Sequence, residues 1–270
     1  MKEGFWTWID HPQQGKKMLV QNKKALILGL ANDRSLAWSI AESLHAQGAS
    51  IALTYGIASS EKRAVPLAEK LSASFCQLLD VRDENHWKNL TSSLQAWGKI
   101  DIVVHSMAFA PPSELASGLM GTSLKGLQET LEVSAFSFVR LAQLVQPYLN
   151  PGASLLALTN IGSERVIPGY GMMGMAKAAL ESSVRYLAHE LGPQGVRVNA
   201  ISAGPVRTMS AMGVEGFDAH YLMAKEKAPL RQNTNGNDVG LTAVYLASEL
   251  SKHVTGTVQF VDGGLHVVGA

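Results

Sequence analysis

The sequence predicts an α/β protein built on a doubly wound, seven-stranded parallel sheet with helices on both faces. Short apolar runs alternate with helical patterns along most of the chain. The predicted strands are apolar throughout, as expected of strands that are buried on both faces. No internal repeat, low-complexity tract or long charge run divides the chain, so a single domain is expected.

The elements follow in a regular order. Strands are predicted at 25–29, 50–54, 75–79, 100–105, 154–159, 197–202 and 257–261. Helices are predicted from about 35, 60 and 84, over 123–149 and 168–191, and from about 237. Ligands of such folds bind beyond the carboxyl ends of the strands, which directs attention to the loops that follow the first six strands.

Composition excludes several classes of protein. The 270 residues are 46% hydrophobic, and the net charge of +1 gives no reason to expect nucleic acid or an anionic membrane as the main partner. The only cysteine, Cys76, can form no intrachain disulfide, which suits a reducing cytoplasm. No apolar run approaches the roughly 20 residues that span a bilayer. The eight histidines form no i,i+4 pair on one face, so no metal site is predicted.

Residues 1–22 are predicted to be an N-terminal extension, and residues 23–270 a single domain. Phe5, Trp6 and Trp8 crowd into this otherwise polar extension. Two interpretations stay open: a loosely ordered extension, or an arm whose aromatic side chains dock on a neighbouring subunit.

The loop after the first predicted strand is the candidate phosphate site. It reads Gly29-Leu-Ala31-Asn-Asp-Arg-Ser35-Leu36-Ala37, where a Rossmann-type dinucleotide fold carries GxGxxG. Only the first glycine is present, but small residues still permit close backbone approach. Ser35 is a good N-cap for a helix whose free N–H groups would point at a diphosphate. The alternative is an ordinary strand-to-helix turn.

The second predicted strand leaves the choice between NADH and NADPH open. It ends in Tyr55-Gly56 without the carboxylate that would accept hydrogen bonds from an adenosine ribose, and Lys62 and Arg63 follow only later.

Tyr170 and Lys177 form the most informative pair in the chain. They lie seven residues apart at the start of a helical pattern, and seven steps of about 100° come to about 700°, close to two turns. Both side chains are therefore expected on one face. A neighbouring ammonium would favour the phenolate and lower the phenol pKa, and the pair could donate to a substrate oxygen that becomes negative. Taken alone, such a pair also occurs by chance on solvated helix faces.

Together these motifs resemble one family. From about residue 23 to the C-terminus the chain resembles the divergent branch of the short-chain dehydrogenase/reductase superfamily that contains the bacterial NADH-dependent type I enoyl-acyl-carrier-protein reductases. The resemblance rests on GLANDRSLAWSIA at 29–41, LDV at 79–81, HSMAFAP at 105–111, IGSERVIPGYGMMGMAKAALESSVRYLA at 161–188, GVRVNAISAGPVRT at 195–208 and VDGG at 261–264. The Tyr-x6-Lys spacing separates this branch from ordinary members, which use Tyr-x3-Lys.

The resemblance implies a cofactor site and a reaction. The residues that it implies for the cofactor NADH are Gly29, Ala31, Ser35 and Leu36 at the diphosphate, Asp80 and Val81 at the adenine, Ser106, Met107, Ala108 and Lys177 at the nicotinamide ribose, and Pro205, Val206 and Thr208 at the carboxamide. Each could instead have a local role; Asp80, for example, could cap the next helix. In that family, hydride passes to the β-carbon of a trans-2-enoyl thioester, and the tyrosine that matches Tyr170 holds the enolate oxygen.

Asn160 is the main departure from the family pattern. Enoyl reductases of this type usually carry a second tyrosine ten residues before the catalytic one, and here that position is Asn160. An amide can donate a hydrogen bond but cannot act as an acid near neutral pH. We count Asn160 among the catalytic candidates and expect its effect on acyl-chain fit and turnover rather than on cofactor binding. Gly56 is a second, milder departure.

The segment 209–227 is predicted to be a mobile substrate lid. Its glycines and methionines suit adaptable contact with an alkyl chain, although a short core helix is the alternative. The residues expected to contact substrate are Ala110, Met173, Met209, Met212 and Phe217.

The predicted function is therefore an enoyl-acyl-carrier-protein reductase of fatty-acid elongation, cytoplasmic, with an enoyl thioester on acyl-carrier protein or CoA as partner. By resemblance, the helices at 123–149 and 168–191 would form the interfaces of a homotetramer. Two alternatives stay open: a carbonyl reductase of the same superfamily, and a weakly active cofactor-binding paralogue.

Overall fold

The computed structural model describes residues 18–212 and 216–269, and it confirms the doubly wound α/β fold. The seven strands lie in the order β3-β2-β1-β4-β5-β6-β7, and every neighbouring pair is parallel. They are β1 (Lys24–Leu28), β2 (Ser50–Tyr55), β3 (Cys76–Leu78), β4 (Ile100–His105), β5 (Leu149–Thr159), β6 (Arg197–Ala203) and β7 (Val258–Val261).

Helices connect the strands and cover both faces of the sheet. They are α1 (Leu36–Ala46), α2 (Glu61–Lys70), α3 (Glu84–Trp97), α4 (Pro112–Ala116), α5 (Leu124–Leu131), α6 (Ser137–Val145), α7 (Gly171–Leu191), α8 (Met209–Met212), α9 (Phe217–Lys227) and α10 (Gly236–Ala247). Among the described helices, none is long and apolar enough to cross a membrane.

Two apolar cores lie on opposite faces of the sheet. In β1, Leu26 and Leu28 face one core while Ala25 and Ile27 face the other, as the two-residue period of a strand requires. The first core contains side chains of α3, α6 and α7, and the second contains side chains of α1, α2 and α10. A sheet buried on both faces explains why the strands are apolar throughout.

Three element predictions are wrong in detail. The helix predicted over 123–149 is divided by a π-turn at Glu132–Phe136, and α6 ends at Val145. β5 begins at Leu149, five residues earlier than predicted, and its pairing with β4 shifts register between Ile100 and Ile102. α7 begins at Gly171 and not at residue 168, so Tyr170 is the residue that precedes its first turn.

Two further predictions concern the N-terminal extension and the lid segment at 209–227. Phe5, Trp6 and Trp8 lie outside the described residues, so both interpretations of the extension stay predictions. Residues 18–22 pack on the end of α1: the Val20 N–H donates to the Gln47 carbonyl at 3.2 Å, and the Val20 side chain is buried. The lid segment contains α8 and α9. Only Ala224 of α9 is buried, so α9 is not a core helix.

Candidate active site

The sheet brings most of the predicted site residues to one edge. Because β1, β4, β5 and β6 are consecutive and parallel in the sheet, the segments that follow them leave from the same side. These segments carry Gly29 after β1, Ser106, Met107 and Ala108 after β4, Asn160 after β5, and Pro205, Val206 and Thr208 after β6.

Gly29 is required by two independent constraints. Its φ of +90° lies in the region that favours glycine. A Cβ built on Gly29 would lie only 2.1 Å from the Ser106 carbonyl oxygen and 3.1 Å from Met107 Cγ. The loop after β1 and the loop after β4 are therefore in backbone contact, and any larger residue at position 29 would force them apart.

The N-terminus of α1 fits an anionic group such as a diphosphate. Ser35 caps this helix, as predicted: its Oγ accepts from the Trp38 N–H at 3.4 Å and donates to the Asn32 carbonyl at 2.6 Å. No acceptor among the described residues takes the backbone N–H groups of Leu36 and Ala37. These donors and the positive end of the helix dipole could hold an anion.

Asp80 does not cap the following helix, so that alternative is wrong. Asp83 is the N-cap of α3, where its carboxylate accepts from the Asn85 N–H at 2.8 Å. The Asp80 carboxylate instead binds the Arg82 guanidinium at 2.8 and 2.9 Å, and this hydrogen bonding lowers the pKa of Asp80. The Val81 side chain is buried beside it.

Tyr170 and Asn160 are hydrogen-bonded to each other. Asn160 Nδ2 donates to the Tyr170 hydroxyl oxygen at 2.6 Å. The orientation of the amide is settled by its other end, because Asn160 Oδ1 accepts from the Gly162 N–H at 2.8 Å. The phenol oxygen thus already accepts one hydrogen bond, which leaves its own proton free to donate elsewhere.

The expected direction of the Tyr170 pKa is wrong. Burial raises the pKa of Tyr170 to about 12, and the hydrogen bond from Asn160 opposes this rise. Desolvation penalises the phenolate more than the neighbouring groups stabilise it. In this structure the tyrosine is therefore a neutral proton donor and not a phenolate.

Two glycines that the sequence reasoning did not select make room for the tyrosine ring. A Cβ on Gly162 would lie 2.6 Å from Tyr170 Cδ1, and a Cβ on Gly174 would lie 2.7 Å from the Gly162 carbonyl oxygen. Gly174 lies within α7, where glycine costs about 1 kcal/mol relative to alanine. A glycine at an unfavourable helix position, four residues after Tyr170, is the signal that could have identified this contact.

Lys177 lies in the protein interior. Its Nζ donates to the Leu158 carbonyl of β5 at 2.7 Å, and the side chain is buried. Burial lowers the pKa of Lys177 to about 8, and the neighbouring Glu181 carboxylate opposes the shift. Glu181 is itself buried and accepts from Thr159 Oγ1 at 2.6 Å.

Only part of the predicted substrate set surrounds the tyrosine. Ala110, Met172 and Met173 form a buried apolar cluster against which Tyr170 packs. Met209 and Met212 are exposed on α8, and Phe217 packs against Tyr221 within α9 at a ring separation of 5.9 Å. These three residues are not members of the cluster.

The segment after β6 is held by hydrogen bonds between residues that are close in sequence. The Thr208 N–H donates to the Val206 carbonyl at 2.8 Å, and Thr208 Oγ1 accepts from the Ala211 N–H at 3.1 Å. Pro205 is half-buried, and a Cβ on Gly204 would lie 3.0 Å from Asp262 Cα. The Gly204–Thr208 segment therefore lies against the C-terminal segment that follows β7.

Comparison with known proteins gives one consistent result. A family model described as enoyl-(acyl carrier protein) reductase matches residues 29–266. The chain is 42% identical over 253 residues to the enoyl-[acyl-carrier-protein] reductase [NADH] FabI of Rickettsia typhi, which covers 93% of this chain and 97% of that protein.

Solved structures agree in both sequence and fold. The enoyl-(acyl-carrier-protein) reductase of Anaplasma phagocytophilum, crystallised with NAD, is 44% identical and covers 94% of this chain and 98% of its own, with a TM-score of 0.90. The Bacillus cereus enoyl-acyl carrier protein reductase, crystallised with NADP+ and indole naphthyridinone, is 41% identical and covers 93% and 99%, with a TM-score of 0.90.

Proposed function

The chain belongs to the enoyl-(acyl carrier protein) reductase family, and from this premise we propose that Tyr170, Asn160 and Lys177 carry the reduction of a trans-2-enoyl thioester by NADH. Membership makes the chain an NAD(P)H-dependent oxidoreductase of fatty-acid synthesis that acts on a CH–CH bond. It also favours the enoyl reductase over the carbonyl reductase of the same superfamily.

The observation that carries the assignment of roles is the hydrogen bond from Asn160 to Tyr170. It leaves a neutral phenol with its proton available, next to the apolar cluster that contains Ala110 and Met173. A proton donor beside an apolar surface suits a substrate whose carbonyl oxygen gains charge while its acyl chain avoids water.

The residues at the sheet edge fit NADH. The free N–H groups at the start of α1 and the Gly29 turn suit its diphosphate, with Ala31, Ser35 and Leu36 around it. The remaining contacts are assigned to Asp80 and Val81, to Ser106, Met107 and Ala108, and to Pro205, Val206 and Thr208. When bound, NADH supplies the hydride that adds to the β-carbon of the substrate.

The chain's own side chains stabilise the charge that this addition creates. As the β-carbon gains the hydride, an electron pair moves to the thioester oxygen, and the Tyr170 hydroxyl donates to that oxygen. Asn160 donates to the Tyr170 oxygen and so spreads the developing charge. The electron pair on the oxygen then returns to re-form the C=O bond as the α-carbon takes up a proton from solvent, which completes the reduction. Lys177, as a buried cation, is assigned to the ribose hydroxyls.

The lid, the partner and the assembly belong to the same proposal. Residues 209–227, with Met209, Met212 and Phe217, would close over the acyl chain of a thioester on acyl-carrier protein or CoA. A homotetramer through α5, α6 and α7 is supported by exposed aromatic side chains in the π-turn between α5 and α6 and on α7, since Phe136 is 55% and Tyr186 69% exposed. Light scattering of the purified protein tests it. The cytoplasmic location stays a prediction.

The decisive experiment follows the nicotinamide absorbance while purified protein, NADH and a series of trans-2-enoyl thioesters are mixed. We expect turnover, and a loss of at least about 100-fold in kcat for Tyr170→Phe with unchanged NADH affinity. Tyr245→Phe, the same change on the outer side of α10, is the control. A wild type that binds NADH but oxidises none of it across chain lengths would overturn the proposal and revive the weakly active paralogue. Activity on a ketone panel instead would identify a carbonyl reductase.

A further inference from the structure

The π-turn between α5 and α6 and the first residue of α6 each present a serine to the segment that leaves β4. A π-turn inserts one extra residue into a helix and is frequent at functional sites. Here it spans Glu132–Phe136, and its residues Val133, Ser134 and Ala135 are buried. Ser134 and Ser137, three residues apart, are both buried and both contact the chain between residues 105 and 109.

Ser134 holds the backbone of Phe109 at both of its polar groups. The Phe109 N–H donates to Ser134 Oγ at 2.9 Å, and Ser134 Oγ donates to the Phe109 carbonyl at 2.9 Å. A serine hydroxyl has one proton to give and lone pairs to accept with, so both contacts can form at once. A residue without a hydroxyl at position 134 would leave both backbone groups of Phe109 without this partner.

Ser137 holds the other end of the same segment through His105. Ser137 Oγ donates to the Val133 carbonyl at 2.7 Å, so in its 2.7 Å contact with His105 Nε2 the hydroxyl must accept. This assigns the ring proton to Nε2. His105 is fully buried, and burial together with the nearby Lys177 charge lowers the pKa of His105 to about 3. The ring is therefore neutral under working conditions, and its tautomer is set by Ser137.

The segment between these two attachment points contacts the phosphate loop on its other side. The Ser106 carbonyl oxygen and Met107 Cγ are the atoms that leave no room for a Cβ on Gly29. Met107 Cε also lies 3.4 Å from the position that a Cβ on Gly56 would occupy. The position of 106–108 therefore sets both the wall of the nicotinamide ribose site and the fit against the first loop.

We infer that Ser134, Ser137 and His105 are positioning residues for the cofactor: they clamp the ends of segment 106–108 and hold it in the geometry that NADH requires. This inference rests on the proposed function for the identity of the cofactor. None of the three side chains needs to touch NADH or substrate. The clamp acts through the backbone at Phe109 and through the start of the segment at His105.

The test measures NADH affinity directly by fluorescence titration. For Ser134→Ala we expect the Kd for NADH to rise about tenfold, while kcat at saturating NADH changes less than about threefold. Hydrogen exchange at the Phe109 amide should accelerate by a similar factor, because its acceptor is lost. Ser183→Ala is the matched control, since within the described part of the chain Ser183 Oγ bonds only to the Ala179 carbonyl of its own helix. If Ser134→Ala does not fold, Ser134→Cys, which keeps the shape and hydrogen-bonds weakly, replaces it.

A double-mutant cycle distinguishes a clamp from general loosening. Ser137→Ala and His105→Phe remove the two halves of one contact, so the double variant should bind NADH no more weakly than the worse single variant. Ser134→Ala combined with Ser137→Ala removes two different contacts, so the double variant should bind NADH more weakly than either single variant.

Unchanged NADH affinity and unchanged Phe109 exchange in the Ser134 variant would overturn the inference. Binding and exchange need no substrate turnover, so failure of the enoyl reductase assignment would be seen separately.

Discussion

The Asn160→Asp variant tests the hydrogen bond that Asn160 donates to the Tyr170 hydroxyl. Asn160 Nδ2 lies 2.6 Å from the Tyr170 oxygen, while Oδ1 accepts from the Gly162 N–H. An aspartate has nearly the same shape and retains the acceptor for Gly162. It has no second donor, and as a carboxylate it carries charge of the same sign as the oxygen that develops on the substrate. The variant therefore keeps the loop and reverses one interaction.

The expected loss can be worked from this geometry. In the transition state the Tyr170 oxygen gains negative charge as its proton is drawn towards the substrate oxygen, so the bond from Asn160 counts there as one to a charged group, which contributes about 1.5–3 kcal/mol. Because each 1.36 kcal/mol of barrier corresponds to a factor of ten in rate, losing the donor should lower kcat about 10- to 150-fold. Repulsion from the new carboxylate moves the expectation towards the upper end. NADH affinity should change little, since Asn160 contacts the tyrosine and its own loop.

The assay is steady-state NADH oxidation at saturating cofactor and enoyl thioester, with NADH titration in parallel. Asn237→Asp is the matched control, because it makes the same chemical change at an exposed position at the start of α10. If Asn160→Asp keeps kcat within twofold of wild type, the amide does not stabilise the transition state. The assignment of Asn160 as a catalytic group would then be wrong.

Three further predictions concern pH, space and stability. The Lys177 pKa falls from 10.5 to about 8 in the folded state, so the unfolded chain binds more protons between these pH values. The unfolding free energy of the wild type, measured by urea unfolding, should therefore rise between pH 8 and pH 10.5 by about 3 kcal/mol more than that of Lys177→Met. If the unfolding free energies of the two proteins change with pH in parallel, the pKa shift of Lys177 is wrong. Gly162→Ala should reduce kcat more than about tenfold, because its Cβ would meet the Tyr170 ring at 2.6 Å, and Gly192→Ala, with open space at its Cβ and a φ of −55°, is the kinetic control. Arg197→Met should lower the unfolding free energy by about 2–4 kcal/mol, because buried Arg197 binds the Leu246 and Ser248 carbonyls at the end of α10. A loss below about 1 kcal/mol in urea unfolding would refute this role of Arg197.

The sequence predicted an element well where its residues pointed to one kind of structure only. β4 has the predicted bounds, and Ser35 caps α1 as its residue type indicates. β5 was predicted to begin too late, because Asn150-Pro151-Gly152 is typical of a turn while tertiary pairing with β4 extends the strand. The π-turn was missed because a 3.6-residue period cannot register one extra residue inside a helix.

The site shows the same division. Residue types and spacing predicted Tyr170, Lys177 and Gly29, and the family pattern singled out Asn160 as a catalytic candidate in place of the usual tyrosine. The partner to which Asn160 donates could not be predicted, because it depends on the Gly162 N–H that orients the amide. The direction of the Tyr170 pKa also required the depth of burial, which no local pattern supplies. Ser134 and His105 were missed because their partners are distant in sequence and their contacts depend on the π-turn.

The π-turn also decides where this chain can lose a residue. Removing one residue from Glu132–Phe136 would convert the turn to regular helix, whose backbone hydrogen bonding is as good or better. Because the wide turn absorbs the extra residue, Phe138 and Leu141 would still face the sheet into which they pack. The deletion would instead change which side chain meets the segment after β4, where Ser134 now binds Phe109. The same deletion within α6 would rotate everything beyond it by about 100° and so misalign the core.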